Sequence, residues 1–370
     1  MPDESDNKFD PTLIVNAGIS QPPSVNPVAA DRYRKRKLKM LSEEEYLDGL
    51  LNGDRTILGK VITLIESALP EHQQMAQAII AKCLPHSGNS IRIGITGVPG
   101  VGKSTFIETL GSQLTSSGNK LAVLAIDPSS RRTKGSILGD KTRMETLSAD
   151  SNAFIRPSPS AGTLGGVARK THESVLLCEA AGFNIIFIET VGVGQSETTV
   201  YDMVDFFLLL MLAGGGDELQ GIKRGIMEMA DAVVINKADG DNAARANLTA
   251  AQMQNAIRLF PAPVSGWQPI VATCSALTNF GIKEVWDNIE SYISFAKKSD
   301  YFWQRRAVQT RQVMSNSLGE WLMLDFQQNK TVKKLLPEVE EGLACNRFSA
   351  YVAASMLIEA YRSDLSKNKQ

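Results

Sequence analysis

Residues Gly97 to Thr105 read GVPGVGKST, between a short apolar run, IRIGIT (91–96), and a helical pattern beginning at Ser104. The stretch fits GxxxxGK[ST] in the setting that gives the spacing its meaning, a strand before and a helix after. Glycines let main-chain N–H groups approach phosphate oxygens, and a helix N-terminus adds a favourable dipole. Gly97, Val98, Pro99, Gly100, Val101, Gly102, Lys103, Ser104 and Thr105 are therefore the expected phosphate cradle. Lys103 is placed to reach the terminal phosphates and the Ser104 hydroxyl to ligate Mg²⁺.

From Pro85 onward, short apolar runs alternate with helical patterns: IRIGIT, then KLAVLAI (120–126), NAFIRP (152–157), NIIFIE (184–189), DFFLLLML (205–212), AVVIN (232–236) and PIVATC (269–274). Continuous apolar strands separated by helices predict an α/β fold, a mainly parallel sheet covered on both faces. Helical extensions flank it. The expected organisation is an arm at 1–40, rich in Pro, Asn, Ser and charge, a helical segment at 41–88, a nucleotide domain at 89–298 and a helical extension at 299–370. Ser42 with Glu45 reads as a capping box, and Asn52-Gly53 and Pro70 divide 41–88 into short helices. In the last segment Trp303, Val308, Met314, Leu318, Trp321, Leu322 and Leu324 form an apolar stripe suited to packing or dimerisation.

Composition excludes several classes. Lys and Arg total 39 against 40 Asp and Glu, a net charge of −1, so no global field favours nucleic acid or an anionic membrane. The basic run Arg32 to Lys39 reads as a solvated linker. The longest apolar run, Phe206 to Ala213, is far short of the ~20 residues that span a bilayer. Cys83, Cys178, Cys274 and Cys345 form no CxxC pair, and MPDESDNKFD carries no export signal, so a reduced, cytoplasmic setting is expected.

Asn236-Lys237-Ala238-Asp239 closes the sixth apolar run. NKxD at a strand end offers an amide to a purine keto oxygen, a lysine stem over the ring, and a carboxylate. That carboxylate accepts from both the ring N–H and the exocyclic amine of guanine, a donor pair adenine lacks. Ser275, Ala276 and Leu277, after the next run, are placed to offer backbone N–H groups to the guanine oxygen. Glu189 ends the fourth run, where an acid can sit near Mg²⁺ and its waters. Gly192 in IETVGVGQSE supplies an N–H for the γ-phosphate, and Gly194 a hinge. Gln195 lies three residues beyond Gly192, where signalling GTPases place a water-orienting Gln directly after the glycine, so its role in hydrolysis is open. Asp127 (AIDPSS) and Asp140 (GSILGDKTRM) can each bind Mg²⁺ through water or orient the attacking water, or else cap a turn and sit solvated. The glycine-rich loop at 213–225, with Asp217, Glu218, Gln220 and Lys223, is suited to reordering.

GVPGVGKSTFIE, DPSS, GSILGDKTRM, RPSPSAGTLGG, ETVGVGQSE, GGGDELQGIKRGI and NKADGDN together resemble the MeaB/ArgK GTPases, bacterial counterparts of the methylmalonic aciduria type A protein. The match runs from about residue 40 to about 300. The resemblance implies a homodimeric P-loop NTPase of the SIMIBI class that binds GTP with Mg²⁺ and hydrolyses it to GDP. Such a protein chaperones adenosylcobalamin-dependent methylmalonyl-CoA mutase, the client holding the cobalamin. It also implies phosphate, magnesium and hydrolysis roles for Lys103, Ser104, Asp127, Asp140 and Glu189. Guanine contacts fall to Asn236, Lys237 and Asp239, and a partner-sensing switch to 214–225 with Lys223. Arg131-Arg132-Thr133-Lys134 after DPSS departs from the family pattern and is read as solvated. Alternatives are a chaperone of another acyl-CoA mutase, a nickel-enzyme maturation GTPase, and a P-loop small-molecule kinase. The nickel reading has only Cys83-x-x-His86 to offer as a ligand pair, and a protein kinase is excluded by the lack of HRD and DFG elements.

Overall fold

The computed structural model describes residues 40–127, 144–159, 164–190, 196–214 and 224–367. Three helices lead: α1 (Glu43–Leu51), α2 (Arg55–Glu66) and α3 (Pro70–Cys83). The sheet region follows as β1 (Ile91–Gly97), α4 (Lys103–Ser116), β2 (Leu121–Asp127), α5 (Glu145–Ala149), β3 (Ala153–Pro159), α6 (Leu164–Ala180) and β4 (Ile185–Thr190). It continues through α7 (Ser196–Tyr201), β5 (Phe206–Leu212), α8 (Arg224–Met229), β6 (Ala232–Asn236), α9 (Ala243–Ile257) and β7 (Ile270–Thr273). Helices α10 (Ile282–Lys298), α11 (Tyr301–Gln328), α12 (Lys330–Ala344) and α13 (Ala350–Lys367) complete the chain. No helix among the described residues is long and apolar enough to cross a membrane.

The leading helices start and stop where local chemistry requires. Asp54 caps α2 by accepting from the backbone N–H groups of Thr56 at 2.7 Å and Ile57 at 3.2 Å. The same bonds hold its carboxyl below the usual carboxylate range. Pro70 occupies the first turn of α3, where its missing N–H costs nothing.

The seven strands form one all-parallel sheet in the order β3-β2-β4-β1-β5-β6-β7. All six residues of β4 and the first six of β5 are buried, as expected of strands covered on both faces. One core layer packs α4 and α10 on the sheet through Phe106, Leu110, Phe187, Phe206, Ile289 and Tyr292. Another packs α9 on β5 and β6 through Met211, Val233, Ile235, Ala246 and Met253.

Because β1 lies between β4 and β5, the loop leaving its C-terminal end opens between two neighbouring strand ends. Parallel α/β sheets bind their ligands in such a crevice. The register puts Glu189 of β4 opposite Ile95, and Leu210 of β5 opposite Gly97.

Helix α11 carries its apolar stripe on the outer face, not against the sheet. Its buried residues are Phe302, Arg305, Arg306 and Gln309, while Trp303, Val308, Met314, Leu318, Trp321, Leu322 and Leu324 are all more than half exposed. The inward face is polar because its charges meet partners at the N-terminal edge of the sheet. Arg306 makes a bidentate pair with Asp205, both bonds 2.7 Å, and donates to the carbonyls of Gly88 at 2.6 Å and Ser90 at 2.7 Å. Arg305 sits 3.4 Å from Asp231.

Candidate nucleotide site

The phosphate cradle is built by backbone shape. Gly97 has φ +154°, and a Cβ there would collide with the carbonyl oxygen of Leu210 on β5. Gly102 has φ +94°, and a Cβ would stand 2.8 Å from Asn236 Nδ2. Larger residues at either place would push the loop off the sheet. Beneath the loop the Thr190 hydroxyl donates to Thr96 Oγ1 at 2.8 Å, joining the ends of β4 and β1.

Lys103 is buried, and its ammonium donates to the carbonyls of Gly97 at 2.8 Å and Val98 at 3.3 Å. The cation is thus held against the loop it closes, with polar bonds that phosphate oxygens can replace. Ser104 Oγ lies 3.5 Å from Glu189 Oε1, and Glu189 is only 6% exposed. A hydroxyl and a carboxylate converging beside a phosphate loop are the hard oxygen donors Mg²⁺ takes. Among the described residues no group of three or more His, Cys, Asp and Glu side chains could hold a metal unaided.

The base subsite forms where β6 and β7 end. Ser275, Ala276 and Leu277, with Gly102, Thr105, Asn236, Lys237 and Asp239, line a cleft of about 240 Å³. Three of the four NKAD residues, Asn236, Lys237 and Asp239, thus meet the loop after β7, although some forty positions separate them in the chain. Asn236 is buried, and its amide faces inward. Nδ2 donates to the carbonyl of Val101 in the phosphate loop at 2.8 Å, and Oδ1 accepts from the backbone N–H of Ala276 at 3.2 Å. The amide expected to face a purine oxygen, and one of the N–H groups expected to do the same, bond each other within the protein. They brace the phosphate loop against the base loop.

Lys237 has φ +59°, an uncommon conformation for a non-glycine residue, and its stem passes over Gly102. Asp239 Oδ1 accepts from the Ser275 hydroxyl at 2.6 Å, and Ser275 Oγ in turn accepts from the N–H of Thr278 at 3.2 Å. The carboxylate is therefore fixed at the cleft. Leu277 is 81% exposed and forms its open lip.

Two supports escape a reading of motifs. Thr109 on α4 donates its hydroxyl to the carbonyl of Ala276 at 2.8 Å, so the helix that starts at the phosphates also holds the base loop. Cys274 lies with its thiol 3.4 Å from Asn236 Oδ1, and burial pushes that thiol up to about 12. The only sequence signal for Thr109 is its place one turn beyond Thr105. Asp140, Gly192, Gln195, Asp217, Glu218, Gln220, Lys223 and the Arg131–Lys134 run lie outside the described residues, as does the side chain of Asp127. Cys83, half of the possible nickel pair, is fully buried and its thiol is pushed up to about 11 by burial.

Comparison with known proteins agrees with this geometry. Residues 58–331 match the model of the methylmalonyl-CoA mutase-associated GTPase MeaB. A protein named putative GTPase from Caulobacter vibrioides is 49% identical over 312 residues, covering 84% of this chain and 95% of that protein. The mitochondrial methylmalonic aciduria type A homolog of Mus musculus is 43% identical over 335 residues, covering 87% and 81%. A crystal structure titled LAO/AO transport system kinase superposes with TM-score 0.70 at 34% identity, covering 88% of this chain and all of that one. With a phosphate loop, a braced NKAD cleft and a family match across most of its length, the chain belongs to the MeaB family of methylmalonyl-CoA mutase-associated GTPases.

Proposed function

We propose that the chain binds GTP, hydrolyses it to GDP and phosphate, and uses that cycle to assist an adenosylcobalamin-dependent methylmalonyl-CoA mutase, acting as a cytoplasmic homodimer. The observation that carries the nucleotide part is the Asn236 amide, bonded at once to Val101 of the phosphate loop and Ala276 of the base loop. A side chain tying the two subsites together suits a ligand that fills both.

In this reading Asp239, held by Ser275, accepts the ring N–H and the exocyclic amine of guanine, and adenine leaves it without donors. Lys103 exchanges its loop carbonyls for phosphate oxygens and steadies charge that develops on the γ-phosphate. Ser104 and Glu189 would hold Mg²⁺, which when bound neutralises phosphate charge. Asp127 and Asp140 remain assigned to Mg²⁺ water and the attacking water, and Gly192 to γ-phosphate sensing. The 214–225 loop, with Asp217, Glu218, Gln220 and Lys223, is assigned to the partner response. The mutase, not this chain, is proposed to carry cobalamin.

The test is nucleotide selectivity. GTP should turn over at least ~100-fold more efficiently than ATP, since a fixed carboxylate acceptor deprived of its donors costs a factor of that order. Asp239→Asn should lower guanine affinity by about 100-fold and raise affinity for xanthine nucleotides, whose O2 accepts from an amide. Equal use of GTP and ATP by the unmodified protein would refute the base assignment.

A further inference from the structure

The structural unit that carries the base-reading motif does not end at Asp239. Gly240-Asp241-Asn242 follow as a short 3₁₀ turn that leads into α9, with Asn242 at the N-cap position of that helix. An asparagine there ordinarily turns its side-chain oxygen to the first backbone N–H groups of the helix. This one does not, and its side chain makes no bond to the first turn of α9. Its Nδ2 donates backwards instead, to the carbonyl of Lys237 at 2.7 Å.

That carbonyl belongs to a residue whose backbone needs support. Lys237 has φ +59°, and the other non-glycine residues with positive φ among the described residues are Asn279, Asp300 and Asn346, the types that tolerate it. Such a conformation persists in a lysine where the surroundings over-determine it. Here the peptide unit after Lys237 is held at both polar ends. Its oxygen accepts from Asn242, and its N–H, that of Ala238, donates to the carbonyl of Cys274 at 2.9 Å. The Lys237 stem is thereby directed over Gly102, its Cε 3.9 Å from where a Cβ on that glycine would stand. Asn242 also donates its own backbone N–H to the carbonyl of Asp239 at 3.1 Å. One residue thus ties the carriers of the lysine stem and of the carboxylate, without itself lining the cleft.

We propose that Asn242 is a positioning residue of the base subsite, its amide donor holding Lys237 in the left-handed conformation that lays the stem across the purine. This role rests on the guanine reading of the cleft. Capping of α9 alone would be served as well by aspartate, which matches asparagine as an N-cap residue. An ionised aspartate has no donor to offer the Lys237 carbonyl. The two roles are therefore separable by a substitution that hardly alters shape.

The test measures GDP, ADP and tripolyphosphate binding to the full-length, nucleotide-free protein by calorimetry at neutral pH. Asn242→Asp should weaken GDP about fivefold or more, the worth of one hydrogen bond, with tripolyphosphate unchanged within about twofold. Asn242→Ala, which removes donor and acceptor together, should lose a similar factor. In a Lys237→Gly background no stem remains to be placed, and a positive φ carries no penalty. Either Asn242 substitution should there change GDP affinity by less than about twofold. GDP affinity that Asn242→Asp leaves intact, an equal loss of tripolyphosphate binding, or the same loss in both backgrounds would each overturn the role of Asn242. Equal affinity of the unsubstituted protein for GDP and ADP would overturn the guanine reading and this role with it, a failure that precedes any substitution.

Discussion

Lys103 illustrates how much a single side chain settles here. Its ammonium is buried and donates to carbonyls of the loop it closes, so the cradle is held in shape by the group proposed to meet the phosphates. His172 on α6 shows the opposite economy, a titratable group that the fold keeps neutral. Burial, then the nearby Arg92 guanidinium, lowers its pKa to about 4 from an ordinary 6.5. The folded state thus resists a proton that the unfolded chain accepts. Stability from this residue is complete above pH 6.5 and declines as the pH falls toward 4. The total is roughly 3 kcal/mol. Denaturant unfolding of the protein and of His172→Gln, compared between pH 7 and pH 4, should show a shallower acid loss in the variant by about that amount. Parallel curves would show that His172 is not the source. The motif residues were legible in the chain because their chemistry depends on spacing alone. The second duty of Asn236, bracing Val101 against Ala276, was not, because it depends on a strand and two loops meeting in space.

Among elements, the strands were the most legible. Seven continuous apolar runs became seven parallel strands, since a strand buried on both faces has little freedom in composition. Helix α11 was the least legible. Its apolar residues face outward, and its inward face is fixed by ion pairs whose partners lie 101 positions away for Arg306 and 74 for Arg305. No local pattern encodes such a pairing. Alongside it, Arg92 on β1 pairs with Glu179 on α6 at 2.9 Å, and its backbone N–H donates to Asp205 at 2.8 Å, so β1, α6 and α11 share one buried polar seam. Arg306→Ala strands the Asp205 carboxylate in that seam and should cost about 3–5 kcal/mol of stability. The exposed Trp303→Ala should cost no more than about 0.5 kcal/mol. Equal, small losses from both would mean that α11 is held by something other than these pairs.

For the whole molecule, the distal half of α11 poses the remaining question of assembly. Met314, Leu318 and Trp321 repeat at helical spacing, exposed at 66, 59 and 72%. A contiguous apolar face of this kind is commonly an interaction surface, and under the proposed homodimer a second copy covers it. Leu318→Glu with Trp321→Glu should therefore yield a monomer in sedimentation velocity with its helical content retained. A dimer that persists would move the interface elsewhere. The account as a whole rests on a nucleotide cycle read by a client enzyme, and the most direct measurement is GTP hydrolysis with and without methylmalonyl-CoA mutase, with ATP as the competing nucleotide. Slow, guanine-specific turnover by the protein alone is expected, with a rise of at least about tenfold when the mutase is present, as a partner that completes a nucleotide site produces. Guanine-specific turnover at the same rate with and without the mutase would contradict it.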